Sequence, residues 1–177
     1  YFSLKAKAVT YIERFAHYAE AARMNYEALG AKNITVINGD GEVLSKEIKD
    51  VDVFYLDPAR RGEGNKRVFA LSDCEPDLTT LCPVLLERAP KVIAKISPMA
   101  DISHTLSLLP NTTEVHVLSV RNECKELLFV IEREPGQKTT AITCVNIKSD
   151  GETERFDFTS EEEKLALPAF SDTTGAY

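Results

Sequence analysis

The chain has no run approaching the roughly 20 consecutive apolar residues that a membrane helix requires, which excludes a helical span and argues against a membrane partner. Its four cysteines, Cys74, Cys82, Cys124 and Cys144, form no Cys-x-x-Cys and no metal-like pairing. They are expected to be reduced thiols of a cytoplasmic protein, with no metal site and no disulfide framework. The histidines His17, His104 and His116 do not converge, so a catalytic or metal-binding imidazole is not expected. Glycine is absent before Gly30, so the front of the chain carries no glycine-rich turn. Excess basic charge is missing too: the formal net charge is -7, where a nucleic-acid-binding domain usually shows a basic footprint. No internal repeat or low-complexity tract is present.

What is there alternates. Ala8 to Ile12 is a short apolar run ending in Glu13, and Arg14 to Leu29 places Phe15, Tyr18, Ala19, Ala22, Tyr26 and Leu29 at helical spacing before a stop at Gly30. Asn33 to Ile37 is a second strand candidate, followed by Asn38-Gly39-Asp40-Gly41 and a short helix candidate from Glu42 to Ile48. Val51 to Leu56 is a third, rich in β-branched and aromatic residues, and reads as a buried parallel strand. It runs directly into Asp57-Pro58-Ala59-Arg60-Arg61. Strands alternating with helices predict an α/β fold on a parallel, doubly wound sheet.

An acidic residue follows each of these strands: Glu13, Asp40 and Asp57. Ligands of open α/β sheets bind outside the carboxyl ends of the strands, so all three are expected on the rim of a site. A carboxylate there can accept both hydroxyls of a ribose, a second can take the amino group of an adenine, and a third can face a reacting group. The plain alternative is that these residues cap the helices that follow them.

The set Glu13, Asn38-Gly39-Asp40 and Asp57-Pro58-Ala59-Arg60 resembles the successive motifs of class I S-adenosylmethionine (SAM) methyltransferases, with a Rossmann-like sheet. Asp-Pro-Ala-Arg is similar to the Asp-Pro-Pro-Arg type of RNA methyltransferases. Lys95-Ile-Ser-Pro-Met99 and Ser119 to Leu128 extend the likeness to a bacterial group whose C-terminal part is a THUMP-like, RNA-associated domain. The resemblance implies SAM as cofactor, with Glu13, Arg14, Gly39, Asp40 and Asp57 around it. It also implies Asp57 and Pro58 at the methyl-transfer site, and RNA as partner. Arg60, Arg61, Lys66 and Arg67 cluster in the following loop, where positive charge would meet phosphates; pairing with Glu63 and Asp73 is the plain alternative. In the family's sheet order, the strand carrying the glycine-rich turn lies between those ending at Glu13 and Asp57. No segment here supplies it, so the chain is expected to be a piece of a longer protein.

Methylation at carbon 5 of a pyrimidine needs a nucleophile, normally a thiolate. Ser97-Pro98 stands where such enzymes keep a cysteine, so transfer to nitrogen or oxygen is favoured. Lys95 and Asp101 are secondary candidates, Lys95 being equally a rim charge and Asp101 better read as a helix cap. Downstream, a helix started by Glu75-Pro76-Asp77 and running through Arg88, a strand Lys91 to Ile96, a helix Asp101 to Leu109 and an antiparallel pair Thr113 to Val120 and Glu126 to Glu132 around Arg121-Asn122-Glu123 complete the expected catalytic domain, 1–134. Residues 135–177 are expected to open a small α+β accessory domain: strands Ala141 to Ile147 and Arg155 to Phe158, then a helix with a capping box from Thr159. Phe15 and the tyrosines Tyr11, Tyr18 and Tyr26 are expected to pack in the core, with stacking on the adenine edge as the alternative for Phe15. Two competing expectations are a non-catalytic Rossmann-like module binding RNA or protein, and a dinucleotide oxidoreductase. Asp-Pro-Ala-Arg speaks against the latter.

Overall fold

The computed structural model describes residues 1–60, 74–136 and 139–167. It is a mixed α/β structure in two compact units, Tyr1–Val51 and Asp52–Tyr177.

In the first unit, a short 3-10 turn (Phe2–Leu4) precedes β1 (Val9–Glu13), α1 (Ala16–Ala28), β2 (Ile34–Asn38) and α2 (Gly41–Ser45). β1 and β2 pair in parallel, from Val9 opposite Ile34 to Glu13 opposite Asn38. α1 ends at Gly30, whose φ of +67° suits glycine. A two-stranded sheet gives α1 little to cover, and Ala19 is its buried residue. The expected core packing of Phe15 and Tyr18 is therefore corrected, since both are more than half exposed, at 55% and 57%.

The second unit contains β3 (Val53–Leu56), the two-residue strands β4 (Ala59–Arg60) and β5 (Cys74–Glu75), α3 (Leu78–Leu86), β6 (Lys91–Ile96), α4 (Ile102–Leu108), β7 (Thr112–Val120), β8 (Glu123–Glu132), β9 (Ala141–Ile147), β10 (Thr153–Thr159) and α5 (Ser160–Leu165). Its six-stranded sheet has the order β10-β9-β7-β8-β6-β3. β3 and β6 are parallel, β8 runs antiparallel to both β6 and β7, and β9 returns parallel to β7. The boundary expected after residue 134 falls between β8 and β9, and both strands belong to this sheet.

Alternation along β6 buries Val92, Ala94 and Ile96 together with Phe129, Leu127 and Val115 of the neighbouring strands. α3 supplies Leu78, Leu81, Cys82 and Leu85 to the core. β3 departs from the expected buried run: Phe54 is buried, but Val53 and Tyr55 are 44% and 41% exposed. β3 ends the six-stranded sheet, with β6 on one side and no partner on the other among the described residues. Its burial alternates as that of β6 does, because one face of the strand is covered and the other is open.

Local chemistry ends the elements. Asp77 and Asp101 cap α3 and α4 by accepting the Thr79 and His104 N–H groups. Thr159 and Glu162 form the capping box of α5. The β7–β8 hairpin turns on Arg121 and Asn122, both at positive φ (52° and 63°), as tight two-residue hairpins require. Asn122 also exchanges hydrogen bonds of 3.1 and 2.7 Å with Asn146 of β9. Asn122→Ala removes both the left-handed preference and the side-chain bond, and should cost about 1 kcal/mol in urea denaturation. Asn122→Gly, which keeps the backbone freedom, should cost distinctly less.

Candidate functional site

Parallel pairing of β1 and β2 places Glu13 opposite Asn38 at their carboxyl ends. The Asn38 side-chain amide donates to the main-chain carbonyls of Glu13 (2.9 Å) and Arg14 (3.0 Å), and the Gly39 N–H donates to the Glu13 carbonyl (3.0 Å). The two strand ends are thus laced into one turn. Glu13 Oε1 accepts the Phe15 N–H at 2.8 Å, and Oε2 accepts the Tyr11 hydroxyl at 3.1 Å. Burial, and next the Glu13 carboxylate, push the Tyr11 phenol above its ordinary range, so it remains a donor at neutral pH.

Asp40 caps α2, its Oδ1 accepting the N–H groups of Glu42 (2.9 Å) and Val43 (3.3 Å). The plain capping role is real, and Oδ2 lies outside it. A carboxylate oxygen carries two lone pairs, so both acids retain acceptor capacity beyond these local bonds. At Gly39 a Cβ would come within 2.5 Å of Leu44 Cδ1, so a side chain there would displace Leu44. Glu13, Arg14, Gly39 and Asp40 therefore form one cluster within the first unit. Beside it Phe15, His17 and Tyr18 form an exposed aromatic group, with Phe15 and Tyr18 edge-to-face at 6.0 Å. A groove of about 440 Å³ in the same unit is lined by Arg23, Tyr26, Lys32, Ile34 and Val36 and includes none of the predicted residues.

In the second unit, parallel pairing matches Leu56 with Ala94, so the next residues, Asp57 and Lys95, are cross-strand neighbours. Lys95 Nζ lies 2.7 Å from Asp57 Oδ2 and 3.8 Å from a Glu126 carboxylate oxygen. Glu126 arrives from β8, where Leu128 opposes Lys95. The hydrogen bond to Asp57 is the main reason the Lys95 ammonium is held above its ordinary 10.5, with burial opposing. A raised lysine value stabilises the fold below its unfolded value and loses that contribution only as pH rises through the folded one, so the pair persists at neutral pH. The Tyr55 phenol is also pushed up, first by burial and then by Asp57.

The structure thus gathers Asp57 with Lys95 and Glu126. Pro58 follows Asp57 directly. Asp101 is a helix cap, and the Ser97 hydroxyl accepts the Met99 N–H at 3.3 Å in the turn after β6. Arg61, Lys66 and Arg67, with the Arg60 side chain, lie outside the described residues. Glu126 went unnoticed in the sequence because no local signal sets the register between β6 and β8.

No protein-family model and no curated protein matches the chain. Among solved structures, the chain is similar to a crystal structure from Porphyromonas gingivalis described as a "putative methyltransferase", with a TM-score of 0.82 and 36% identity. The match spans 97% of this chain but only 43% of that one, so the chain corresponds to less than half of its length.

Asn38 gives the first cluster a sharp test. Asn38→Ala removes two donors and should cost about 1 kcal/mol in urea denaturation. Asn38→Asp should cost more, because it sets a third carboxylate against two carbonyl oxygens and Glu13.

Proposed function

We propose that this chain forms most of the catalytic domain of a class I SAM-dependent methyltransferase that acts on RNA. The observation that carries the reading is the pairing of two features: acidic residues at the carboxyl ends of parallel strands, in the order of the family's motifs, and the 36% identity over nearly the whole chain to a structure described as a methyltransferase. The strand order β7-β8-β6-β3, with β8 as the reversed strand, fits one half of the family's Rossmann-like sheet, and β1–β2 fits the far part of the other. Residues from 135 onward we read as the start of a THUMP-like accessory part.

The donor set fits the cofactor. Glu13 presents a carboxylate already oriented by Tyr11 and Phe15, as a ribose diol requires. Asp40 Oδ2 is placed by the helix cap for an exocyclic amino group, and the Gly39 main chain permits close approach. Exposed Phe15 offers a ring face beside Glu13 rather than a core contact. When bound, SAM supplies an activated methyl group, so the protein needs to orient the acceptor for in-line attack and exclude alternatives. Asp57 accepts a hydrogen bond from the acceptor group, the Pro58 carbonyl helps orient that group, and Arg60, Arg61, Lys66 and Arg67 meet the RNA backbone.

Nitrogen or oxygen is the favoured acceptor atom. The thiol of buried Cys82 is pushed up to about 12 by burial, and burial also raises Cys124 and Cys144. None of these thiols is poised to add to a pyrimidine ring.

Calorimetric titration of S-adenosylhomocysteine into the protein at its natural length tests the reading. Binding is expected, and Glu13→Ala should weaken it roughly 10- to 100-fold, the equivalent of one charge-assisted hydrogen-bond set. A folded protein that binds no S-adenosylhomocysteine would make the chain a cofactor-free module.

A further inference from the structure

Asp57 directly follows β3, and its side chain is 53% exposed. Yet the reaction assigned to it requires a fixed acceptor, since misplacement of a positioning group by an ångström can cost roughly 100-fold in rate. The restraint comes from the neighbouring strand. Lys95 is less exposed than either carboxylate, at 27%, and its strand β6 lies between β3 and β8. At 2.7 Å its ammonium holds Asp57 Oδ2, which leaves Oδ1 outside the pair, and at 3.8 Å it feels Glu126 without a hydrogen bond.

We infer that Lys95 is a positioning residue: it fixes the Asp57 carboxylate through Oδ2 so that Oδ1 faces the ligand, and Glu126 keeps the ammonium at that post. The assignment rests on the proposed cofactor site. Two acids flank one base, so the cluster keeps a net negative charge after pairing. It is therefore suited to a cationic or hydrogen-bond-donating group at Asp57 and unsuited to a phosphate. Tyr55 is the remaining titratable group that influences Lys95, and as a neutral phenol it leaves the ammonium paired across the neutral range. Glu126 serves a second purpose. When Asp57 shares its charge with a ligand, the ammonium retains a partner and is not drawn away from the rim.

The test is a double-mutant cycle on S-adenosylhomocysteine affinity, using the protein at its natural length. Lys95→Met should weaken binding about tenfold in the wild-type background and less than about twofold in the Asp57→Asn background, because the two residues act as one unit. Lys95→Arg should recover most of the loss, and Glu126→Gln should produce a smaller loss of the same kind. Equal losses in both backgrounds would overturn the positioning role alone. A folded wild type that binds no S-adenosylhomocysteine would overturn the cofactor reading and this role together. A measurement free of variants at Lys95 guards against misfolding: the ε-carbon resonance of Lys95 should titrate above 10.5 and move down in Asp57→Asn. An unmoved midpoint would show that no pair forms in solution, and would overturn the role even if the cofactor binds.

Discussion

Within each unit, parallel pairing brings the carboxyl ends of adjacent strands to one edge, and the two central contacts of the proposed site depend on that constraint. Glu13 and Asn38 meet because β1 and β2 run together. Asp57 and Lys95 meet because β3 and β6 do. An antiparallel partner in either place would have sent these side chains to opposite ends of the sheet. β8 is the exception that confirms the rule: running the other way, it reaches the same rim with its first half, and so delivers Glu126 near its start. Charge at the rim follows from chain direction.

In each unit the groups of the proposed site also have structural roles. Asp40 is a helix cap, worth about 1 kcal/mol on its own account, yet the cap occupies one oxygen and fixes the direction of the other. Glu13 is held by its own strand and by the first turn after it, so its orientation costs the ligand little. In the proposed site Asp57 is held from the neighbouring strand instead, by Lys95. Preorganisation therefore differs between the clusters: short-range hydrogen bonds in one, a cross-strand ion pair in the other. Short-range bonds form with their own turn, whereas the ion pair exists only after β3 and β6 have aligned.

That difference also explains how far the sequence could be read. β6 was legible to the residue, from Lys91 to Ile96, because its flanking Pro90 and Ser97-Pro98 and its alternation are local. The capping box at Thr159 and the cap at Asp101 are equally local. The turn after β7 is expected at Arg121-Asn122-Glu123, but β8 already begins at Glu123. Burial was less legible. Phe15, Tyr18, Val53 and Tyr55 have the composition of core residues, but exposure depends on what covers them, and the two-stranded sheet under α1 and the open face of β3 are not written in either segment. Glu126 escaped for a related reason: its partner lies 31 positions earlier, on another strand, and only the register connects them. Asp57 and Lys95 could each be named from sequence, yet their pairing could not.

The net charge of -7 is unevenly spread along the sequence. Late acids from Asp150 to Glu163 belong to β10, α5 and the turn before them, whereas Arg60, Arg61, Lys66 and Arg67 follow Asp57 in the sequence. The account stands on the cofactor. The direct measurement is a crystal structure of the protein at its natural length with S-adenosylhomocysteine. It should show ribose hydroxyls on Glu13, the adenine amino group on Asp40 and Asp57 still paired with Lys95. Density for the nucleoside elsewhere, such as the groove between α1 and β2, with Glu13 and Asp40 untouched, would contradict it.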